Sequence, residues 1–367
     1  PLDLGMVERL RAVIGSATRS FDGFDYASAL NAVEEAFWSF CDDYLELVKL
    51  RSYSDDDTPR RRSAIATLAW SLRAFLRRVY LLQGRHERSW HVARFDYARW
   101  HSCLNGAGVG LDEVAWLWEA DGEIVGLVMP DGGRGEAHLS VDPGARTPAL
   151  ERAMLDVAEA ELTGATPEGG RRLVVWAMED DPLRPALLAE RGYERRPWVD
   201  HKWRGDLTRA LPEPEVAPGY AVRALGDGLE LLERCYASGL GFHEGDTAVA
   251  LDNRADPSWY RNIQNGPLYR RDLDLVAVAP DGAIAAFCTL WFDDVTRSVY
   301  VEPVATVPAH RRRGLARALL FEGLRRAQRL GATLATVGGF SEAANGLYRS
   351  VMGDDTDRLV PWERTWG

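Results

Sequence analysis

Cysteine is scarce in this sequence: four in 367 residues, at positions 41, 103, 235 and 288. No two form a CxxC pair, so neither a thiolate metal site nor a disulfide framework is indicated. A reduced, cytoplasmic setting is the expectation. Long apolar runs are missing as well. No stretch approaches the roughly 18 residues that a membrane helix needs, so no membrane partner is expected. The opening PLDLGMVERLRAVIG is amphipathic and lacks the basic segment and apolar block of a secretion signal. Positive charge is in deficit: the formal net charge is −11. That argues against a general polyanion binder, whose affinity rests on neutralised phosphates.

What is present changes character along the chain. Residues 3–84 read as helices only, over about Leu4–Ser20, Tyr26–Leu50 and Arg61–Leu82. The third helix puts Ile65, Leu68, Leu72, Phe75, Leu76 and Val79 on one side, and three helices of this length can pack as a bundle. The break SYSDDDTPRRR reads as solvated charge flanking a helix start. From about Ser89, strand and helix patterns alternate. VAWLWEADGEIVGLVM and, later, LDLVAVAPDGAIAAFCTLWF each read as two strands around an Asp-Gly turn. Each pair is followed by a strand, a helix, a strand and a helix. Two copies of one β-β-β-α-β-α unit make an internal repeat. The proline-rich ALPEPEVAPG, Ala210–Gly219, reads as the linker between them. The expected division is a helical head at 1–88, a first unit at 89–209 and a second at 210–367.

The second copy carries the informative motif. Arg311-Arg312-Arg313-Gly314-Leu315-Ala316 falls where a strand ends and a helix begins. Free N–H groups and a partial positive charge at a helix start suit a pyrophosphate. Gly314 admits close approach of an anion to the backbone. Chemistry alone says an anion site. The R-x-x-G-x-A pattern, followed by SEAANGLYRSV, resembles the GNAT acetyltransferases. The resemblance implies an α+β fold: two tandem GNAT domains, each a mixed central sheet flanked by helices, preceded by a small helical bundle. It implies acetyl-CoA as acyl donor. Its pantetheine arm would lie along the splayed strand at Val304, Ala305, Thr306 and Val307, and its pyrophosphate on Arg311, Arg312, Arg313, Gly314, Leu315 and Ala316. Asn345 would contact the coenzyme arm, and Tyr348 would be the acid for the leaving thiolate. One departure is Met352-Gly353-Asp354, where the family has Gly-Phe after the tyrosine; it bears on how Tyr348 is positioned.

An alkylammonium must lose a proton before it can attack. Glu302, on the strand before the splay, is the candidate base. Asp293 and Asp294 either serve too or cap a turn, and His243 and Glu244 lie where this family builds its acceptor pocket. The first copy has Arg146-Thr147-Pro148-Ala149-Leu150-Glu151 at the clamp position and Leu187 or Leu188 where the tyrosine belongs. It is expected not to bind coenzyme. The head, FDYASALNAVEEAFWSFCDDYLELVK above all, resembles the anticodon-binding helical domain of valyl-tRNA synthetases. There is no HIGH or KMSKS signature, so aminoacylation is excluded. The expected function is acetyl-CoA-dependent N-acetylation of a small-molecule amine. Alternatives are a tRNA-linked acyl transferase and a non-catalytic acyl-CoA-binding protein. Expected partners beyond the amine are a tRNA, through residues 1–84, and a second copy of the chain; the head's unclosed apolar side is expected to lie against either the first unit or that second copy.

Overall fold

The computed structural model describes residues 58–82, 91–95 and 114–367 except Gly122 and Gly132, with scattered positions between 12 and 28. The first two helices expected in the head therefore lie largely outside the described residues, and Phe37, Trp38 and Tyr44 with them.

The third forms α1 (Pro59–Leu82). Pro59 begins it, where a missing N–H costs nothing, and the Thr58 hydroxyl accepts from the Arg61 N–H at 3.1 Å. Leu72, Phe75, Leu76 and Val79 are buried, at the 3-4 spacing of one helix face. They join a core that also holds Ile124 and Leu127 from the first unit and Phe287 and Trp291 from the second. Arginines reinforce the docking: Arg77 pairs with the buried Asp293, and Arg78 reaches the Ile124 carbonyl at 2.6 Å and Asp142 at 3.0 Å. Deleting residues 1–84 removes four large apolar side chains from this core, at about 1.5–3 kcal/mol each. The truncated chain is expected to aggregate or change oligomeric state in size-exclusion chromatography. A monodisperse product of unchanged state would mean that α1 contributes nothing to the core.

The first unit runs β1 (Trp116–Ala120), β2 (Glu123–Pro130), β3 (Glu136–Val141), α2 (Pro148–Glu161), β4 (Gly164–Ala165), β5 (Arg171–Met178), α3 (Arg184–Glu190), β6 (Glu194–Arg195) and β7 (Asp200–Asp206). The second runs β8 (Ala221–Ala224), α4 (Glu230–Phe242), α5 (Thr247–Ala255), α6 (Ser258–Gln264), β9 (Asp274–Val278), β10 (Ile284–Asp293), β11 (Ser298–Thr306), α7 (Leu315–Arg329), β12 (Leu334–Gly339), α8 (Glu342–Met352) and β13 (Thr356–Trp366). Both expected hairpins, both clamp-position helices and both helices after them are present. Each unit also ends in a strand, β7 or β13, that hydropathy does not announce.

Those two final strands are exchanged. The sheet order is β1-β2-β3-β5-β13-β7-β12-β11-β10-β9-β8, with β4 on β5 and β6 on β13. β13 thus completes the first unit by pairing antiparallel with β5, Leu359 opposite Met178 through Trp366 opposite Arg171. β7 completes the second by pairing with β12, Leu334 opposite Asp206 through Gly339 opposite His201. The two meet at the centre, Thr356 opposite Trp203. The sequence of β7, DHKWRGD, is poor in strand formers, and that of β13, TDRLVPWERTW, interrupts its strand formers with Pro361 and four charges. Ion pairs stand in for apolar packing: Arg204 on β7 bonds Asp355 at 2.6 and 3.0 Å and also pairs with Asp357 on β13.

Candidate active site

β11 runs parallel to β12 from Ser298 opposite Leu334 to Val301 opposite Val337, and pairing stops there. Beyond that point β12 continues only with β7, while β11 stays with β10. On β10 the register shifts between Cys288 and Leu290, across from Glu302-Pro303. This is a β-bulge, which bends its strand and re-aims side chains. The Trp291 indole N–H donates to the Glu302 carbonyl at 2.6 Å and fixes the bulge. The wedge between β11 and β12 opens into a cleft of about 1240 Å³.

The predicted arm-binding residues Val304, Ala305 and Thr306 line that cleft; Val307 is buried beneath it. Above them the chain makes a 3-10 turn, Pro308–His310, and enters α7 through Gly314. Arg312 and Gly314 both adopt left-handed backbone, φ 64° and 75°. Left-handed residues alternating with right-handed ones gather successive N–H groups into an anion-binding nest. No side chain caps α7, and a Cβ placed on Gly314 would meet nothing within 4 Å. The space over the helix start is open cleft. Arg311, Arg312, Gly314, Leu315 and Ala316 face it, together with Arg317. Arg313 turns away, its guanidinium 6.0 Å from the Tyr220 ring centroid, and lines a smaller pocket under the linker. Arg311 bonds Glu244 at 2.7 and 3.1 Å, so one of the two acceptor-segment residues sits on the clamp itself. His243 is exposed at the rim.

Tyr348, on α8, is buried and lines the cleft. Burial pushes its phenol well above the usual tyrosine range, and the neighbouring Cys288, Glu302 and Asp200 act in the same direction. Glu302 is half-buried on the bulge and accepts a short hydrogen bond from the Tyr300 hydroxyl. Asn345, one helical turn before Tyr348, does not line the cleft: its side-chain oxygen accepts from the Trp203 indole of β7 at 2.9 Å. Asp293 is committed elsewhere. It caps the following turn through Thr296 and holds Arg77, and it is fully buried.

Sequence reasoning missed the acceptor end. Asp200 and Lys202 of β7 are 2 % and 3 % exposed and line the same cleft. Their ion pair spans 2.5 Å, and Asp200 also accepts the Gly339 N–H at 3.1 Å. Arg94, in the helical segment 92–95, lines the cleft opposite and bonds Asp131 at 2.9 and 3.2 Å. These residues are more than 90 positions from the motif, on strands and segments that only the exchange brings close.

The first unit shows what happens without an anion to bind. There the Thr147 hydroxyl caps α2, accepting from the Leu150 N–H at 3.2 Å, and Pro148 removes a donor. Glu151, wholly buried, supplies the negative charge. Arg184 grips it at 3.0 Å through two nitrogens, and Arg146 binds it at 2.6 Å. Arg146 also holds Asp181 at 2.5 and 3.0 Å. The clamp has closed on an internal carboxylate. Leu187 and Leu188 are packed in the unit's own core.

A bulged, splayed strand feeding an uncapped helix start, with a buried tyrosine on the next helix, is an arrangement of the GNAT fold. Comparison with known proteins agrees. Residues 234–353 match the family model described as acetyltransferase (GNAT) family, and residues 3–80 match the anticodon-binding domain of tRNA ligase. The chain thus carries a GNAT-family domain in its second half and a synthetase-type segment at its head. A GCN5-related N-acetyltransferase from Sphaerobacter thermophilus superposes with a TM-score of 0.55 at 21% identity, over 82% of this chain and 93% of that one. A tandem GNAT protein from the clavulanic acid biosynthesis pathway superposes at 0.50 and 19% identity, over 69% and 82%. Both likenesses are of fold. The valine–tRNA ligase of Salinispora arenicola is 53% identical over 77 residues, 21% of this chain and 9% of the ligase. That of Leifsonia xyli is 49% identical over 193 residues, 52% of this chain and 18% of the ligase. The chain spans a tenth to a fifth of these curated relatives. Among the described residues no helix is long and apolar enough to cross a membrane.

Proposed function

We propose that the chain is an acetyl-CoA-dependent N-acetyltransferase of a small-molecule amine, with one working unit (210–367), one closed unit (89–209) and a helical head (1–88). The observation that carries this reading is the contrast between the clamps: Gly314 opens onto an uncapped helix start, whereas Glu151 fills its counterpart. The coenzyme's pyrophosphate would sit at Arg311–Ala316 and its arm along Val304–Thr306. Glu302 takes the ammonium proton, directly or through water. The C–N bond forms as the C–S bond breaks; the departing sulfur takes a proton from Tyr348, which the proton lost from the acylated nitrogen restores, and ends as a thiol. Burial favours the protonated phenol of Tyr348, so it carries the proton that it donates, as acid or in a hydrogen bond, to the departing sulfur. Tyr348→Phe is expected to lower kcat by about tenfold to several-hundredfold with little change in coenzyme affinity. Thiol release measured beside calorimetric titration separates the two quantities; an unchanged rate would remove Tyr348 from the mechanism.

A second reading, acyl transfer linked to tRNA, has one observation in its favour. The match to the Leifsonia xyli ligase is 193 residues long and exceeds the 3–80 segment, so likeness to a tRNA-charging enzyme extends beyond the head. Filter binding of purified protein to total tRNA, in rising salt, tests it.

A further inference from the structure

The acceptor end of the cleft holds charge that acyl transfer alone does not use. Of the 44 basic residues in the chain, only Lys49 and Lys202 are lysines. Lys202 is almost wholly buried and lines the cleft. Apart from its ion pair with Asp200, no hydrogen-bond acceptor among the described residues engages its ammonium. The pair packs closely on Gly338, where a Cβ would come within 3.1 Å of the Lys202 nitrogen and 3.0 Å of an Asp200 oxygen. Burial pushes the ammonium's pKa down, the nearby Arg94 guanidinium adds to that, and Asp200 opposes it. Lys202 and Arg94 thus both line the cleft, each paired with an aspartate, and Glu302 lines it too.

We infer that the acceptor is an amine bearing its own carboxylate, an amino acid or a close analogue. Its amine lies at Glu302 and its carboxylate at Lys202 and Arg94. This rests on the acetyltransferase reading above and names the substrate class for it. A simple alkylamine would leave Asp200 as the one acceptor among the described residues for the three buried donors of Lys202, which costs free energy. A phosphate dianion brings more charge than two cations already paired with Asp200 and Asp131 can balance. A zwitterion matches the sequence of charges along the floor. An aminoacyl ester has no free carboxylate, so this inference and the tRNA-linked reading predict different acceptors.

The test uses the full chain, acetyl-CoA, the standard amino acids with their ω-amino homologues, and the carboxamide of each, with products identified by mass spectrometry. At least one acid is expected to be acetylated with kcat/KM about 100-fold or more above its carboxamide. Lys202→Met is expected to bring that ratio to within about tenfold, through KM more than kcat, while calorimetry shows acetyl-CoA still bound. Should that variant fail to fold, Arg94→Gln asks the same question from the other wall. A carboxamide equal to its acid, a preference untouched by either substitution, or the absence of any acetylated acid overturns the inference. If acetyl-CoA binds in that last case, only the acceptor class falls; if it does not bind, the acetyltransferase reading falls with it.

Discussion

Gly314→Glu is expected to abolish acetyl-CoA binding, raising Kd by at least about 100-fold. Two effects act together. The backbone at Gly314 is left-handed, φ 75°, which costs a side-chain-bearing residue roughly 1–2 kcal/mol. The new carboxylate would also lie in the open space over the α7 start, against the pyrophosphate, where like charges repel by several kcal/mol. Ala149→Glu, at the corresponding exposed position of the first unit, is expected to leave binding unchanged. Isothermal titration should give one site per chain for the parent and for Ala149→Glu, and none for Gly314→Glu. Two sites per chain, or normal affinity in Gly314→Glu, would refute the assignment of a single clamp.

The largest stability effect of a single substitution is expected at the closed clamp. Glu151→Gln keeps the shape and removes the charge, leaving Arg184, which is 4 % exposed, without its counter-ion. Breaking one side of a buried ion pair costs about 3–5 kcal/mol, readable as a lower urea midpoint at unchanged m-value. Replacing Arg146, Glu151, Asp181 and Arg184 together by apolar residues of similar volume should cost far less, because no buried charge is then stranded. The same cluster sets an acid limit. Burial raises the Glu151 and Asp181 carboxyls, but Arg184 and Arg146 outweigh it and hold both below the usual range, Asp181 at about 2. A carboxyl whose pKa is depressed by folding stabilises fully above its unfolded value and loses that contribution as pH falls through its folded one. The contribution is therefore intact above about pH 5 and fades toward pH 2. Glu151→Gln should flatten this part of the stability–pH profile; an unchanged profile would show that the cluster does not couple to folding.

The clamp was readable because its requirements are local. A strand end, a glycine and arginines within six residues state their purpose without tertiary context, as do the Asp-Gly hairpins and the stripe of α1. Arg313 shows the limit of that reading. It belongs to the motif, but the direction of its side chain is set by Tyr220 and the linker. Asn345 shows it again, because its partner Trp203 comes from the other unit. Lys202 and Asp200 are the clearest case: DHKWRGD has the composition of a surface loop. Its burial depends on pairing with β12, a partner about 130 residues away that no periodicity encodes. Asp293, open to two readings in the sequence, is accounted for by the turn and by Arg77.

The exchange of β7 and β13 also has a consequence on the ribosome. β5 emerges long before β13, its antiparallel neighbour; some 178 residues separate Met178 from Thr356. At roughly 5–20 residues per second, that is on the order of 10–40 s during which the first unit carries an unsatisfied strand edge, the kind of surface that recruits wrong partners. Fragment complementation at the linker is unpromising for the same reason, since either half alone would lack its last strand and carry one that belongs to the other. Ordered synthesis and a single closing event, the arrival of the eleven residues of β13, make the two units one object in time as well as in space.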